Sequence, residues 1–437
     1  MSEKEMVRYC VDTLLKRGAH KAQCLLNETV KNEFNIDSDR ISLLRTTYDT
    51  QLSLTALVDH RKGSAVINQI DPASINAALQ KVIEFARGAH QDEANDIAEF
   101  QAAELFETGP ESPDLHRMYD RLNDFLHYCK RQYPNTTMRK IVLDFTRVNK
   151  YFQNSNGVDL ISKKGIYNFG TLFISKDAQK SSSFNHTGFS SKNLDEEIQN
   201  YGTLDELLKQ SSEQIHTRSF PDKMSGDIIV TPDCLERFIY YIISTFVSDY
   251  ALISGNSIFK DKLDQVIADP KLTLHSRPVS AEIADGYFIT RDGYKARNNT
   301  IIEKGILKTF LLSLYGSRRT GKPRAVNDGQ AFVVEPGQGR LPEMIKSVKR
   351  GLLLARLSGC SPSENGDFSG VAKNSYLIEN GEIQYPLQET TIAGNLKDML
   401  LNIVDITTER INFGDSIYPW IQFGNIVIAG KHERSQL

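Results

Sequence analysis

The feature that most constrains this chain is a set of tight turns with glycine in second place. In "NSYLIENGEIQYPLQ", residues 374 to 388, Ile378, Ile383, Tyr385 and Leu387 flank Glu379-Asn380-Gly381. Asn-Gly tolerates the positive φ that a two-residue hairpin turn needs. The signal recurs at Asn156-Gly157, and Asp-Gly and Lys-Gly steps punctuate residues 270 to 314. Such turns join antiparallel neighbours. Helical and strand-like stretches interleave without a regular βαβ period. The expected fold class is therefore α+β with antiparallel sheets.

Local signals divide the chain further. Ser2-Glu3-Lys4-Glu5 is a capping box. Met6, Val7, Cys10, Val11, Leu14 and Leu15 follow at helical spacing, and Gly18 stops the helix. Residues 22 to 70 read as a β-meander. Asp71-Pro72 opens a second helix, with Ile75, Leu79, Val82 and Phe85 on one face. Residues 88 to 113 are polar and acidic and read as a connection. A helix with Leu115, Met118, Leu122, Phe125 and Cys129 inward ends before Pro134. Residues 140 to 176 read as strands, and 177 to 225 as a polar stretch holding one or two helices.

In "GDIIVTPDCLERFIYYIISTF", residues 226 to 246, a short strand leads into a helix capped by Thr231 with Pro232 at its first position. Leu235, Phe238, Ile239, Ile242, Ile243 and Phe246, with Tyr240 and Tyr241, cover most of its circumference. Such a helix is buried or lies at an interface. A helix near 342 to 357 and further strands to 430 complete the reading. The expected organisation is an N-terminal α/β-layer domain with an antiparallel meander (1–105), a central α+β region (106–224) and a C-terminal domain (225–437). The last is rich in antiparallel hairpins, with its buried helix near 232–250. "NTIIEKGILKTFLLS" (299 to 313) echoes residues 374 to 388, each a strand, a Glu-x-Gly turn and a strand. Duplication and convergence of hairpins both account for this.

Composition narrows the class. The 437 residues suffice for two or three domains, and 40% hydrophobic with 24% charged residues is ordinary for a globular protein. A formal net charge of -3 argues against direct nucleic-acid binding, which favours a basic face. Met1-Ser2-Glu3-Lys4-Glu5 has no apolar core of a signal peptide, and no run is long and apolar enough to span a membrane. Cys10, Cys24, Cys129, Cys234 and Cys360 are odd in number and widely spaced, without CxxC. That pattern fits a reducing compartment, and the expected location is cytoplasmic.

The residues do not assemble a self-sufficient catalytic set. Gly316-Ser317-Arg318-Arg319-Thr320-Gly321-Lys322-Pro323 approaches a phosphate-binding loop, but Pro323 takes the place of the Mg²⁺-binding hydroxyl. "EPGQGRLP", residues 335 to 342, lacks the third glycine of a dinucleotide fingerprint. No two of the nine histidines are three, four or five apart, so no helix presents two imidazoles to a metal. A site assembled from distant segments stays open. There is no G-x-S-x-G elbow, and a Ser/His/Asp triad is neither supported nor excluded. Cys360 follows Gly359 at an expected helix C-terminus, where the dipole disfavours a thiolate. Cys234 lies in a first turn, where a thiolate is favoured, but its apolar neighbours suit a buried thiol.

"FSGVAKNSYLIENGEIQYPLQETTIAGNLKDMLLNIV" (368 to 404) closely resembles the C-terminal domain of the PmbA/TldE side of the TldD/PmbA family. "NTIIEKGILKTFLLSLYGSRRTG" (299 to 321) and "NSNGV" (154 to 158) fit the same family, and the N-terminal meander fits more loosely. The resemblance implies a cytoplasmic, zinc-dependent peptidase built from two related subunits. It links the family to maturation of a peptide antibiotic, degradation of an antitoxin and an older label, modulator of DNA gyrase. The TldD-type subunit would carry an HExxxH helix, with a cysteine near the C-terminus completing the metal site. In this chain the matching positions read Tyr240, Tyr241 and Thr245, and Phe413 lies in the stretch matching the cysteine. The resemblance thus implies the non-metal subunit, with no catalytic residue, metal ligand or cofactor of its own and zinc in the partner.

The expected partners are a TldD-type subunit in a heterodimer, or a second copy when alone, and an unfolded protein or peptide substrate. No membrane and no direct nucleic-acid partner is expected. Gly394, Asn395 and Asp398, in "TIAGNLKD", are candidate substrate contacts, because a strand edge can bind an extended peptide by main-chain hydrogen bonds. Asn395 and Asp398 are equally suited to capping the helix that follows, and the two roles can coexist. The alternatives are a non-catalytic regulatory protein acting on gyrase or an antitoxin, and a hydrolase using residues outside the family pattern.

Overall fold

The computed structural model describes residues 1–220 and 222–430. Among them the fold is α+β, and its strands form two sheets. The chain opens with α1 (Glu3–Lys16), where Ser2 Oγ accepts from Glu5 N and the Glu5 carboxylate accepts from Ser2 N at 2.7 Å. The meander follows as β1 (Lys21–Asp37), β2 (Arg40–Val58) and β3 (Arg61–Ile67). Helix α2 (Pro72–Gly88), capped by Asp71, packs with α1 on one face, where Val7, Leu14, Leu79 and Val82 meet Leu52 and Leu54. Then come β4 (Glu104–Thr108), α3 (Leu115–Gln132), β5 (Thr136–Asn154), β6 (Asp159–Asp177), β7 (Lys180–Ser181), β8 (Asn185–Ser191) and α4 (Leu204–Glu213). The first sheet runs β3-β2-β1-β5-β6-β4, with β7 and β8 also on β6. Strand β1 pairs with β5 from Gln23↔Asn154 to Asp37↔Lys140. A boundary near residue 105 therefore divides the sequence but not this sheet.

The second sheet starts with β9 (Lys223–Val230), followed by α5 (Pro232–Ile242) and α6 (Asp249–Ile253). After these come β10 (Leu274–Ser276), β11 (Asn299–Glu303), β12 (Ile306–Leu307), α7 (Leu314–Thr320), β13 (Phe332–Val334) and α8 (Leu341–Ser347). Then β14 (Arg350–Leu354), β15 (Arg356–Ser358), β16 (Asp367–Lys373), β17 (Tyr376–Glu379), β18 (Glu382–Pro386) and β19 (Thr390–Asn395) lead to α9 (Leu396–Leu401). Strands β20 (Ile403–Asn412) and β21 (Ile417–Ala429) close the described chain. The main path is β12-β11-β10-β13-β21-β9-β14-β17-β18. Most pairings are antiparallel; β9 with β14 and β13 with β21 are parallel. Strand β9 lies inside the path, and Ile228, Ile229 and Val230 are wholly buried. That explains why this strand reads as a continuous apolar run rather than an alternation.

The two echoing hairpins occupy opposite ends of this path. Lys304-Gly305 joins β11 to β12 with φ of 46° and 80°, and Asn380-Gly381 joins β17 to β18 with 51° and 79°. Left-handed backbone at both central residues is the turn geometry that matches strand twist. At Gly381 the close approach is tight as well, since a Cβ would sit 2.7 Å from the Lys346 carbonyl oxygen.

Several local expectations need correction. Phe85 is exposed, and Ala78, Ile83 and Ala86 complete the buried face of α2 instead. Leu115, at the start of α3, is also exposed. The stretch 88 to 113 contains β4, which pairs in parallel with β6; its mostly exposed side chains gave no apolar period to read. Strand β8 lies in the polar stretch 177 to 225, where its sequence NHTGFSS offers Phe189 as its one large apolar side chain and so no period to read. Thr231 occupies the cap position of α5, but its hydroxyl makes no capping bond. The helix expected over 342 to 357 ends at Ser347, and β14 and β15 follow. Cys360 therefore lies beyond a strand, not at a helix C-terminus. Residues 314 to 320 form α7, with Gly321 as its left-handed cap, so the near phosphate-loop sequence is a helix end.

Candidate functional site

Helix α5 organises the region with the most chemistry. Its inner face, Leu235, Phe238, Ile239 and Ile242, packs into one cluster with Leu396, Met399, Leu400, Ile421 and Phe423. Each such fully buried side chain contributes on the order of 1.5–3 kcal/mol. Asp233, Glu236, Arg237 and Tyr240 fall at positions i, i+3, i+4 and i+7, which places them on the opposite stripe. The helix then widens into a π turn over Ile243–Val247 before Ser248 caps α6.

The outer stripe borders two adjoining clefts. One, of about 580 Å³, is lined by residues including Asn185, His186, Arg237, Tyr240, Tyr241 and Arg356. The other, of about 290 Å³, includes Phe413, Asp415 and Ser416, and both share His186, Asp233 and Glu236. The Asp233 carboxylate accepts from Thr203 Oγ1 at 2.6 Å and Thr187 Oγ1 at 3.1 Å. Burial nevertheless raises its pKa above the usual carboxylate value. Burial also raises Glu236, helped by the like charges of Asp415 and Asp233, and raises Asp415. On the basic side, burial lowers His186 and Arg356, and neighbouring guanidiniums add to both shifts. Arg237 lies 5.9 Å from the Tyr241 ring centroid, at the outer limit of a cation–π contact.

Of the four positions that the resemblance matched to the metal site, three border this trough. Tyr240 is 59% exposed, Tyr241 is buried, and Phe413 lines the smaller cleft. Thr245 falls in the π turn and lines neither cleft. These side chains do not fit a zinc ion. Phe413 has no donor atom, the Tyr241 hydroxyl is used in donating to the Cys360 carbonyl at 2.7 Å, and none of the four positions is His or Cys. Among the described residues no three His, Cys, Asp or Glu side chains converge as a metal site, and His432 lies outside those residues.

Gly394, Asn395 and Asp398 lie elsewhere. Asn395 caps α9: its Oδ1 accepts from Lys397 N at 2.9 Å and Asp398 N at 3.3 Å. Its Nδ2 donates to Asn365 O at 3.0 Å and Asp367 Oδ1 at 2.9 Å. Gly394 pairs with Phe368 of β16, and on the other side β21 pairs with Thr391 to Ala393, so β19 is an edge at its last two residues. A Cβ on Gly394 would approach the Phe368 ring to 3.1 Å. Asn395 and Asp398 do line a separate cleft of about 490 Å³ with Ile258, Phe259, Lys262 and Leu401. Because α9 packs on the inner side of α5, this group does not join the outer trough.

Sequence reading missed the charged residues of the trough. The stripe Asp233, Glu236, Arg237, Tyr240 was legible as the polar side of a greasy helix. His186 and Arg356 arrive from distant strands and carried no local signal.

Comparison with known proteins places this geometry in context. Residues 223–430 match the family described as PmbA/TldA metallopeptidase C-terminal domain. The chain is 22% identical to the metalloprotease PmbA homolog of Haemophilus influenzae, over 93% of this chain and 91% of that protein. It is 23% identical to metalloprotease PmbA of Escherichia coli O157:H7, over 96% of each. The fold matches TldE from Thermococcus kodakarensis with a TM-score of 0.79 at 18% identity, covering 98% of this chain and 99% of that one. It also matches a Bacteroides thetaiotaomicron protein whose name links it to modulation of DNA gyrase. There the TM-score is 0.86 at 21% identity, covering 98% and 99% of the two chains.

Proposed function

We propose that this chain, whose residues 223–430 match the PmbA/TldA metallopeptidase C-terminal domain, is the non-metal-binding, TldE/PmbA-type subunit of a two-subunit zinc peptidase acting on unfolded proteins and peptides. One observation carries this reading. The positions matching HExxxH hold Tyr240, Tyr241 and Thr245, and the stretch matching the cysteine presents Phe413. Zinc hydrolysis needs about three protein ligands and an open place for water. In this reading the TldD-type partner supplies zinc and the general base, while this chain contributes binding surface. Its site of action is cytoplasmic; among the described residues no helix is long and apolar enough to cross a membrane.

The outer edge of β2 supports assembly with a second subunit. Residues 40 to 51 of β2 pair with β1 but not with β3, whose ladder begins at Leu52↔Ile67. Ile41, Leu43, Leu44 and Tyr48 are exposed along this stretch. A free, apolar strand edge favours pairing with another chain.

The test is hydrolysis of an unfolded protein, with zinc assayed on the same samples, for this chain alone and mixed with an HExxxH-bearing relative. Activity and zinc confined to the mixture are the expected result. Stoichiometric zinc and turnover in the chain alone would refute the silent-subunit reading.

A further inference from the structure

Two arginines beside α5 lack carboxylate partners. Arg237 and Arg356 both line the larger cleft, and among the described residues neither lies within ion-pair distance of an acid. The Arg356 guanidinium is anchored through one Nη, which donates to the Phe184 carbonyl at 2.6 Å, leaving its other N–H groups uncommitted. Asn185 is 3% exposed and lines the same cleft. Its Oδ1 accepts from Asn374 Nδ2 at 2.6 Å, and that Nδ2 also donates to Phe184 O at 3.3 Å. This fixes the amide orientation and leaves Asn185 Nδ2 without a partner in the protein.

We propose that this cleft binds the C-terminal carboxylate of a peptide, held by Arg356 and Arg237. The proposal rests on the peptide-binding reading above and names where one end of the ligand goes. Guanidinium forks suit a planar carboxylate and can bind it through two parallel hydrogen bonds. The shape favours a peptide over a free anion. From the arginines the trough continues past Glu236 into the cleft at Phe413 and Ser416. Asp233 and Glu236 on that route would repel a compact, multiply charged anion but can accept from the N–H groups of an extended chain.

The experiment is calorimetric titration of the full chain with N-acetyl-tetra-alanine as the free acid and as its C-terminal amide, and with inorganic phosphate. The free acid should bind about tenfold or more tightly than the amide. That preference should vanish in Arg356→Gln and in Arg237→Gln, the latter at an exposed position. Loss of the preference in natively melting variants supports the clamp. Equal affinity for acid and amide overturns the proposal, as does phosphate binding as tightly as the free acid. Binding of unfolded casein to the same samples separates the two levels. Casein binding without acid preference overturns only this cleft assignment, whereas absence of both removes the peptide-binding reading itself.

Discussion

The Tyr241 hydroxyl donates to the Cys360 carbonyl at 2.7 Å, bridging α5 to the segment that follows β15. Tyr241 is thus a strut between two elements. Burial raises its phenol pKa, so it stays protonated and able to donate. Tyr241→Phe leaves a carbonyl without its partner and should cost about 1–2 kcal/mol of stability. Urea denaturation measures this; a variant with unchanged midpoint and slope would show that the strut contributes nothing.

Asn395→Ala should destabilise the chain by about 1–2 kcal/mol, since it removes the α9 cap. It also removes the donor to Asp367, the first cause holding that carboxyl below its usual pKa. Under the function proposed above, peptide turnover by a mixture of this chain with an HExxxH-bearing relative should be unchanged. A turnover loss exceeding the stability loss would instead assign Asn395 a contact with substrate.

Asp233 should make the folded chain less stable as pH rises through its raised pKa. A carboxyl whose pKa is higher folded than unfolded binds its proton more tightly in the folded state. Its stabilising contribution is complete below the unfolded value of 3.8 and is lost above the folded value. Asp233→Asn keeps partners for Thr187 and Thr203 while removing the charge. Thermal melts at neutral pH should show the variant more stable than the parent, with the gap closing as pH falls towards 3.8. A gap that widens on acidification would contradict the sign.

Alkylation should begin at Cys360. Cys10, Cys24, Cys129 and Cys234 are buried, while Cys360 is partly exposed. Burial raises the Cys360 thiol pKa, so even this reaction should be slow at neutral pH. Mass spectrometry after brief iodoacetamide treatment should find one modified site, and five after unfolding. Early labelling of Cys234 would mean that α5 opens in solution.

Elements whose signal is local were legible. The capping box at Ser2 and Glu5, the Asp71-Pro72 helix start and the Asn380-Gly381 turn depend on residues a few positions apart. So did the short strand that leads into the helix at Pro232. Elements stabilised by distant partners were not legible. Strand β4 has exposed side chains and exists because β6 offers it a ladder. Residues 350 to 358 carry enough leucine for a helix, yet β9 and β17 recruit residues 350 to 354 as a strand between them.

The sequence alone determined the fold class, the turns, the greasy helix and the lack of His, Glu or Cys at positions 240, 241, 245 and 413. These follow from residue identity and short spacing, which folding does not alter. Only the tertiary structure decided that β19 is paired on both sides over Thr391 to Ala393, and that Asn395 serves α9 from the inner side of α5. It alone brought Asn185, His186 and Arg356 to the outer side beside Arg237. Those relations depend on which strands become neighbours. Neighbours come from long-range pairing and burial, and no short stretch of this chain encodes them.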